Sequence, residues 1–273
     1  MSEAKSLAQI KGFLIDMDGV LYTGNEPMPG ARDLISFLRR HEIPFLLLTN
    51  NSTLTPAQYV AKLRRLEIDV DEDKILTSAQ AVAPYLHKVA TPADEIYVIG
   101  EEGLLSALRK EGFTLAKSGT QKVRFVVAGL DRHLTYQKLL EASLRIQQGA
   151  AFIGCNPDKT LPLENEFVAP GNGAILAALE ASTGVSPLII GKPEHTIFDL
   201  AVSRLGINKE ETAMISDRVE TDIVGGRNAG LITILTLSHV TDQHELSGAS
   251  TTPDFTFDSV EELYEALQRS CIH

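Results

Sequence analysis

The stretch Phe13-Leu14-Ile15-Asp16-Met17-Asp18-Gly19 indicates the fold class, because an apolar run ends there in two aspartates two positions apart, with a glycine directly after them. The run predicts a buried strand of a parallel sheet over residues 12–16, with both carboxylates at its carboxyl end. Ligands bind at that edge of an open α/β sheet. Carboxylates placed there can hold a divalent cation, attack phosphorus or transfer a proton, so the pattern suggests phosphate chemistry.

The composition of the 273 residues, 44% hydrophobic and 22% charged, is that of an ordinary globular protein with room for one large domain or two of average size. The net charge of −11 and the lack of a basic stripe argue against a surface for nucleic acid polymers. No signal-peptide pattern is present, and no apolar run approaches the roughly 18 residues of a membrane span. We therefore expect a cytoplasmic protein without membrane contact. Cys155 and Cys271 lack metal-ligand spacing, which predicts reduced thiols.

Apolar runs alternate with helical patterns along most of the chain, which is typical of βαβ units around a parallel sheet. The sheet that contains the first run is expected to include four further strands, Phe45–Leu48, Pro187–Ile190, Thr212–Ile215 and Leu231–Leu235. Residues 79–185 have strand and helix patterns of their own. We therefore predict two α/β domains: a discontinuous one of residues 1–78 and 186–273, whose central parallel sheet is flanked by helices, and one of residues 79–185 inserted into it. An inserted domain above the ligand-binding edge can act as a lid.

Polar residues follow two more of the expected strands. Thr49 and Asn50 end one strand, where the Thr49 hydroxyl and the Asn50 backbone N–H can donate to phosphate oxygens. The alternative is that this polar turn only caps the helix expected at 56–66. Lys192 leaves the strand at 187–190 and can bind phosphoryl oxygens as a compact cation. The alternative is that Lys192 is only a solvent-exposed lysine in a loop.

Two more aspartates follow the strand Thr212–Ile215. Asp217 comes two residues after it and can complete a magnesium site with Asp16. Asp222, at the start of the next helix, either acts as a ligand or orients metal-bound water, or it only favours the helix N-terminus electrostatically. Acids gathered at one sheet edge raise one another's pKa unless a divalent cation and a lysine neutralise them.

With Asp-x-Asp, Thr, Lys and Asp at successive strand ends, the chain strongly resembles the haloacid dehalogenase (HAD) superfamily of aspartate-nucleophile phosphatases over essentially its whole length. The stretch Asp16-Met17-Asp18-Gly19-Val20-Leu21-Tyr22, the Thr-Asn-Asn-Ser at 49–52 and the Gly-Lys-Pro at 191–193 resemble the NagD-like branch, subfamily IIA. This branch includes p-nitrophenylphosphatases and nucleotide, pyridoxal and phosphoglycolate phosphatases. The resemblance implies a Rossmann-like core with an α/β cap between its second and third motifs, as at 79–185. Ser216 departs from the branch, which usually has glycine there.

The resemblance implies a role for each matching aspartate. Asp16 attacks phosphorus to give an aspartyl-phosphate, and Asp18 protonates the leaving oxygen and then deprotonates the hydrolytic water. Mg²⁺ is held by the Asp16 carboxylate, the Asp18 backbone carbonyl and Asp217. Asp222 is a supporting residue or a further ligand.

The resemblance also implies which residues bind the substrate. The remaining phosphoryl oxygens are held by Thr49, Asn50 and Lys192. The segment Cys155-Asn156-Pro157-Asp158 resembles the cap of the same branch, so Asn156 and Asp158 are candidates for substrate selection. A homodimer formed through the cap would match the relatives.

We therefore predict a Mg²⁺-dependent phosphomonoesterase for small phosphorylated metabolites such as sugar phosphates, nucleoside monophosphates or p-nitrophenyl phosphate. Two alternatives stay open. A phosphomutase or phosphotransferase of the same superfamily uses the same groups and passes the phosphoryl group to an acceptor other than water. A phospho-accepting signalling protein of the receiver type also combines aspartates, a threonine and a lysine at strand ends, but it lacks a domain-sized insertion.

Overall fold

The computed structural model describes residues 5–91, 93–119, 123–162, 167–237 and 251–271. The chain forms two compact units. The first unit comprises the described residues of Met1–Thr49, Tyr59–Leu76 and Phe198–His273, and the second comprises those of Asn50–Gln58 and Thr77–Ile197. Among the described residues, no helix has both the length and the hydropathy to cross a bilayer.

The strands of the described residues are β1 (Gly12–Ile15), β2 (Tyr22–Thr23), β3 (Glu26–Pro27), β4 (Phe45–Thr49), β5 (Ile75–Thr77), β6 (Glu95–Ile99), β7 (Thr114–Leu115), β8 (Phe125–Ala128), β9 (Ala151–Gly154), β10 (Thr160–Pro162), β11 (Val168–Pro170), β12 (Leu188–Ile189), β13 (Thr212–Ser216), β14 (Ile232–Thr236) and β15 (Phe255–Phe257). The α-helices are α1 (Ala31–Arg40), α2 (Pro56–Arg65), α3 (Ser78–Val89), α4 (Glu102–Lys110), α5 (Tyr136–Gln147), α6 (Asn172–Thr183), α7 (His195–Leu205), α8 (Val224–Asn228) and α9 (Val260–Cys271).

The first unit is built on a six-stranded sheet in the order β15-β14-β13-β1-β4-β5. The pairings from β15 to β4 are all parallel. Every residue of β1, β4, β13 and β14 is buried, as expected for strands with helices on both faces. This confirms the predicted α/β class with a central parallel sheet.

The second unit has a five-stranded sheet of its own, in the order β12-β9-β8-β6-β7, and all its pairings are parallel. Its core joins apolar residues of these strands to the inner faces of α5 and α6, including Val126, Ile146 and Leu179. A two-stranded antiparallel ribbon, β10-β11, lies outside that sheet. The unit therefore has a separate hydrophobic core.

The prediction that Pro187–Ile190 resumes the first sheet is wrong. Leu188 and Ile189 pair with Ile153 and Gly154 of β9 and form the edge of the second sheet. An apolar run predicts a strand, but its neighbours depend on packing that the local pattern does not contain. Residues 186–197 consequently fall in the second unit rather than with the segment that follows them. The functional division into a catalytic core (1–78 and 186–273) and a cap (79–185) stays a prediction.

Candidate active site

Asp16 lies at the carboxyl end of β1, between the ends of two neighbouring strands. Ile15 is in register with Leu47 on one side and Ile215 on the other. The Asp16 N–H donates to the Ile215 carbonyl at 2.9 Å, and the residue is 5% exposed. Because the three strands are parallel, the residues that follow them meet at one edge, as the sequence pattern predicts.

Gly19 allows Asp217 to approach the loop that carries Asp18. The glycine has φ of +86°, and a Cβ built on it would lie 2.0 Å from Asp217 Oδ2. Real Cβ atoms never come that close to a carboxylate oxygen, so the Asp217 carboxylate occupies space that any other residue would fill. Positive φ also favours glycine at this position. Gly19 thus serves both the turn of the loop and the close approach of Asp217.

Asp18 is half-buried beside two side chains that the sequence analysis did not assign. The Tyr22 hydroxyl donates to Asp18 Oδ2 at 3.4 Å, and Lys62 Nζ lies 3.6 Å from the centroid of the Tyr22 ring. Burial and then the charge of Asp16 raise the pKa of Asp18, whereas Lys62, Arg218 and the Tyr22 hydrogen bond oppose the shift. A raised pKa keeps more of the carboxyl protonated, which is the form that a general acid needs.

Thr49 ends β4 and is 3% exposed. It lies beside the buried Tyr59 of α2. Burial raises the pKa of Tyr59 well above its ordinary value, the charges of Asp18 and Asp16 add to the shift, and the neighbouring Thr49 side chain opposes it. Tyr59 therefore lies close enough to the two aspartates for their charges to act on its hydroxyl.

Asp222 lies in a single π-helical turn, Val219–Ile223, between β13 and α8. It is fully buried, and Oδ2 accepts a hydrogen bond from the Thr221 hydroxyl at 2.6 Å. Such π-turns occur often at functional sites. The hydroxyl of Ser216 accepts a hydrogen bond from the Arg218 N–H at 3.2 Å. The turn after β13 therefore accommodates the serine, at the position where the sequence departs from the usual glycine of the NagD-like branch.

In the second unit, the side-chain amide of Asn50 binds the backbone of Lys192 in both directions. Asn50 Oδ1 accepts from the Lys192 N–H at 2.8 Å, and Nδ2 donates to the Lys192 carbonyl at 2.9 Å. Nδ2 also donates to Asp158 Oδ1 at 3.1 Å. Lys192 itself is 2% exposed. Sequence reasoning assigned only the backbone N–H of Asn50 and missed its side chain, because the partner is 142 residues away.

The backbone carbonyl of Asn50 also has hydrogen-bond donors. It accepts hydrogen bonds from Ser78 Oγ at 2.5 Å and from Asn156 Nδ2 at 2.6 Å. Asn156 Oδ1 in turn accepts from the Asp158 N–H at 3.2 Å. The second unit therefore brings together all four of its predicted site residues, Asn50, Asn156, Asp158 and Lys192. The engagement of Asn156 with the backbone gives it a structural task, and its part in substrate selection stays a prediction.

The donors around the Asp16 loop suit a hard cation. The predicted ligand set consists of the Asp16 carboxylate, the Asp18 backbone carbonyl and Asp217, all of them oxygen donors of the kind that Mg²⁺ prefers. Because Gly19 has no side chain, the Asp217 carboxylate lies directly against this loop. Within the described ranges, no group of three or more His, Cys, Asp and Glu side chains is arranged to hold a metal. The predicted ligand set uses two carboxylates and one backbone carbonyl, so it does not require such a group of three side chains.

The chain is similar to known proteins of one family over most of its length. A family model for haloacid dehalogenase-like hydrolases matches residues 13–114, and a HAD-hydrolase-like model matches residues 189–263. An acid sugar phosphatase of Staphylococcus aureus (strain MRSA252) is 40% identical over 263 residues, which are 96% of this chain and all of the relative.

Solved structures match over similar lengths. A 4-nitrophenylphosphatase from Thermotoga maritima is 35% identical with a TM-score of 0.89, over 96% of this chain and 98% of the other. NagD from Escherichia coli K-12 is 32% identical with a TM-score of 0.84, over 93% and 98%. At these identities and coverages, the similarity extends through both units.

Proposed function

Because this chain belongs to the haloacid dehalogenase superfamily, in its NagD-like branch, and is a phosphoric monoester hydrolase, we propose that it hydrolyses small phosphorylated metabolites through an aspartyl-phosphate on Asp16. The observation that carries this proposal is the contact between the Asp217 carboxylate and Gly19, directly after Asp18. It supports a cluster of oxygen donors at the end of β1, where a phosphoryl group would be attacked.

The nucleophile is the Asp16 carboxylate. One oxygen of Asp16 bonds to phosphorus as the ester bond breaks, while the Asp18 carboxyl gives its proton to the leaving oxygen. Asp18, now ionised, accepts a proton from water as that water attacks the phosphorus of the aspartyl-phosphate, which releases phosphate and restores Asp16. The raised pKa of Asp18 is consistent with this exchange of acid and base roles.

Mg²⁺ is the cofactor that we assign to the Asp16 carboxylate, the Asp18 carbonyl and Asp217, with Asp222 in support. When bound, it neutralises charge on the phosphoryl oxygens. The other phosphoryl oxygens are assigned to Thr49, the Asn50 backbone N–H and Lys192. The bidentate hold of Asn50 on the Lys192 backbone supports a fixed position for this lysine.

The relatives indicate which substrate class to test first. One relative is an acid sugar phosphatase and another a 4-nitrophenylphosphatase. We therefore propose sugar phosphates as the first class to test, followed by nucleoside monophosphates, with p-nitrophenyl phosphate as the reporter substrate. A cytoplasmic location and the absence of nucleic acid and membrane partners belong to the same proposal.

Hydrolysis in the presence and absence of metal tests the proposed reaction. We expect phosphate and p-nitrophenol to be released in equal amounts, and we expect treatment with EDTA to lower the rate by at least about 100-fold, since removal of even one charge-stabilising donor has effects of that order. Added Mg²⁺ should restore the rate. Excess glucose as acceptor distinguishes a transferase, which would release p-nitrophenol without phosphate. A phosphorylated protein that persists without turnover of substrate would instead indicate a signalling protein that accepts a phosphoryl group.

We also propose that the chain forms a homodimer through its second unit. Helix α5 presents three apolar side chains at four-residue spacing, Tyr136 at 81%, Leu140 at 38% and Leu144 at 46% exposure. A row of exposed apolar side chains of this kind is typical of an interaction surface.

Leu144→Lys should convert the dimer into a monomer, because a charge would be placed within the apolar contact. Light scattering coupled to size-exclusion chromatography measures the mass. Val89→Lys, which places the same charge at an exposed apolar position on α3, should leave the dimer intact. A wild-type chain that is monomeric at micromolar concentration would contradict the proposal.

A further inference from the structure

Tyr22 contacts Asp18, and Lys62 contacts the ring of Tyr22. Neither residue has a role in the proposed reaction. Tyr22 is fully buried, and its hydroxyl is 3.4 Å from Asp18 Oδ2. Lys62 Nζ lies over the ring of Tyr22, 3.6 Å from the centroid. A buried tyrosine whose hydroxyl points to a half-buried carboxyl, with a cation on its ring face, needs an explanation.

The backbone holds Tyr22 in a fixed relation to Asp18. The Tyr22 N–H donates to the Met17 carbonyl at 3.2 Å, and the Tyr22 carbonyl accepts from the Gly19 N–H at 2.8 Å. Asp18 and Tyr22 also form an isolated β-bridge. The loop from Met17 to Tyr22 is therefore closed by hydrogen bonds on both sides of Asp18. A phenol anchored in this way can act as a rigid support for the carboxyl.

Lys62 contacts the face of the Tyr22 ring. Its ammonium lies on the face of the aromatic ring, where the negative part of the ring quadrupole attracts a cation. The side chain comes from α2, a separate element, so the ring is held between a helix and its own loop. The positive charge also attracts the carboxylate of Asp18 through the same space.

We propose that Tyr22 and Lys62 are positioning residues for Asp18, holding its carboxyl in the orientation from which the proton passes to the leaving group. This inference rests on the acid role of Asp18 in the proposed function. In that step, the Asp18 proton moves to the ester oxygen, the bond from that oxygen to phosphorus breaks, and the bond from Asp16 to phosphorus forms. The 3.4 Å separation of the Tyr22 and Asp18 oxygens is longer than an ordinary hydrogen bond. Hydrogen bonds at catalytic sites are often long in free enzymes and tighten in the substrate complex.

Two aryl phosphates that differ by one nitro group, and therefore in how much their leaving groups need a proton, separate an orienting role from a structural one. The p-nitrophenolate ion is a good leaving group without protonation, whereas phenolate from phenyl phosphate is a poorer one that gains more from a proton. For Tyr22→Phe, we expect kcat/KM to fall about tenfold on phenyl phosphate and less than about twofold on p-nitrophenyl phosphate, a fraction of the usual worth of a general acid. Because kcat/KM reports the steps up to phenol release, hydrolysis of the aspartyl-phosphate does not obscure the comparison.

Three further variants complete the experiment. Lys62→Met should show the same selective loss, about threefold on phenyl phosphate, and it serves as the test if Tyr22→Phe does not fold. Tyr264→Phe, a tyrosine of α9 in contact with Phe37, should leave both substrates unaffected. Asp18→Asn should show the largest selective loss.

The outcomes distinguish the inference from the proposed function. If Asp18→Asn lowers both substrates equally, the acid role of Asp18 is wrong. If Asp18→Asn is selective, but Tyr22→Phe and Lys62→Met leave the ratio of the two kcat/KM values at its wild-type value, the positioning role is overturned. A wild-type melting temperature for Tyr22→Phe, combined with the selective loss, supports it.

Discussion

Replacement of Asp16 by asparagine is expected to lower kcat/KM by about 10⁴-fold or more, the order of loss seen when a catalytic group of a covalent mechanism is removed. The amide has nearly the shape of the carboxylate but cannot attack phosphorus, and it is a weaker ligand for a divalent cation. Loss of the Asp16 charge also removes a repulsion that raises the pKa of Asp18, so the pKa of Asp18 should fall in the variant. The measurement is hydrolysis of p-nitrophenyl phosphate in the presence of Mg²⁺.

The control for this variant is Asp33→Asn, which changes an exposed aspartate in the first turn of α1. It should keep wild-type activity. Rapid acid quenching with ³²P-labelled substrate adds a direct readout, because wild type and Asp33→Asn should retain protein-bound label that alkali releases, and Asp16→Asn should retain none. Undiminished turnover by Asp16→Asn would end the proposal of an aspartyl-phosphate on this residue.

Replacement of Gly19 by alanine is expected to lower kcat/KM by about 100-fold, the loss that follows a displacement of about 1 Å at a catalytic centre. The new Cβ would lie 2.0 Å from Asp217 Oδ2 and 2.5 Å from its Cγ, so the carboxylate must move. The positive φ adds about 1 kcal/mol or more of backbone strain. Activity and the apparent affinity for Mg²⁺ should therefore fall together, which a titration of activity with Mg²⁺ measures.

Gly24 provides the matched control for this substitution. It has a φ of +60°, and no atom lies within 4 Å of a Cβ built on it. Gly24→Ala should therefore lose stability through backbone strain alone, by about 1 kcal/mol, and retain activity. If Gly19→Ala bound Mg²⁺ and turned over substrate as well as Gly24→Ala does, the close approach of Asp217 would have no catalytic importance.

Several site positions could be predicted because they depend on local pattern and on a general property of parallel sheets. The apolar run of β1 predicts a buried strand, and the parallel arrangement brings the residues after β1, β4 and β13 to one edge. The positions of Asp16, Thr49 and Asp217 follow from this rule. The chemical roles of these residues rest on the resemblance to the HAD family and await the experiments above.

Other features could not be read from the sequence, because each depends on a partner distant along the chain. Leu188–Ile189 has the pattern of a strand, but only packing decides that it pairs with β9. The amide of Asn50 binds the backbone of Lys192, and backbone groups leave no trace in a sequence pattern. Lys62 lies over Tyr22 because α2 packs beside the Asp18 loop.

Hydrophobic period and strand-end chemistry are local properties, so the α/β class, the placement of acids at strand ends and the family could be inferred from the amino-acid sequence. The sheet to which β12 belongs, the close approach of Asp217 to Gly19 and the side chains that contact Asp18 became known from the folded structure. Those contacts arise from close packing between distant segments, where a difference of one methyl group decides whether an arrangement is allowed.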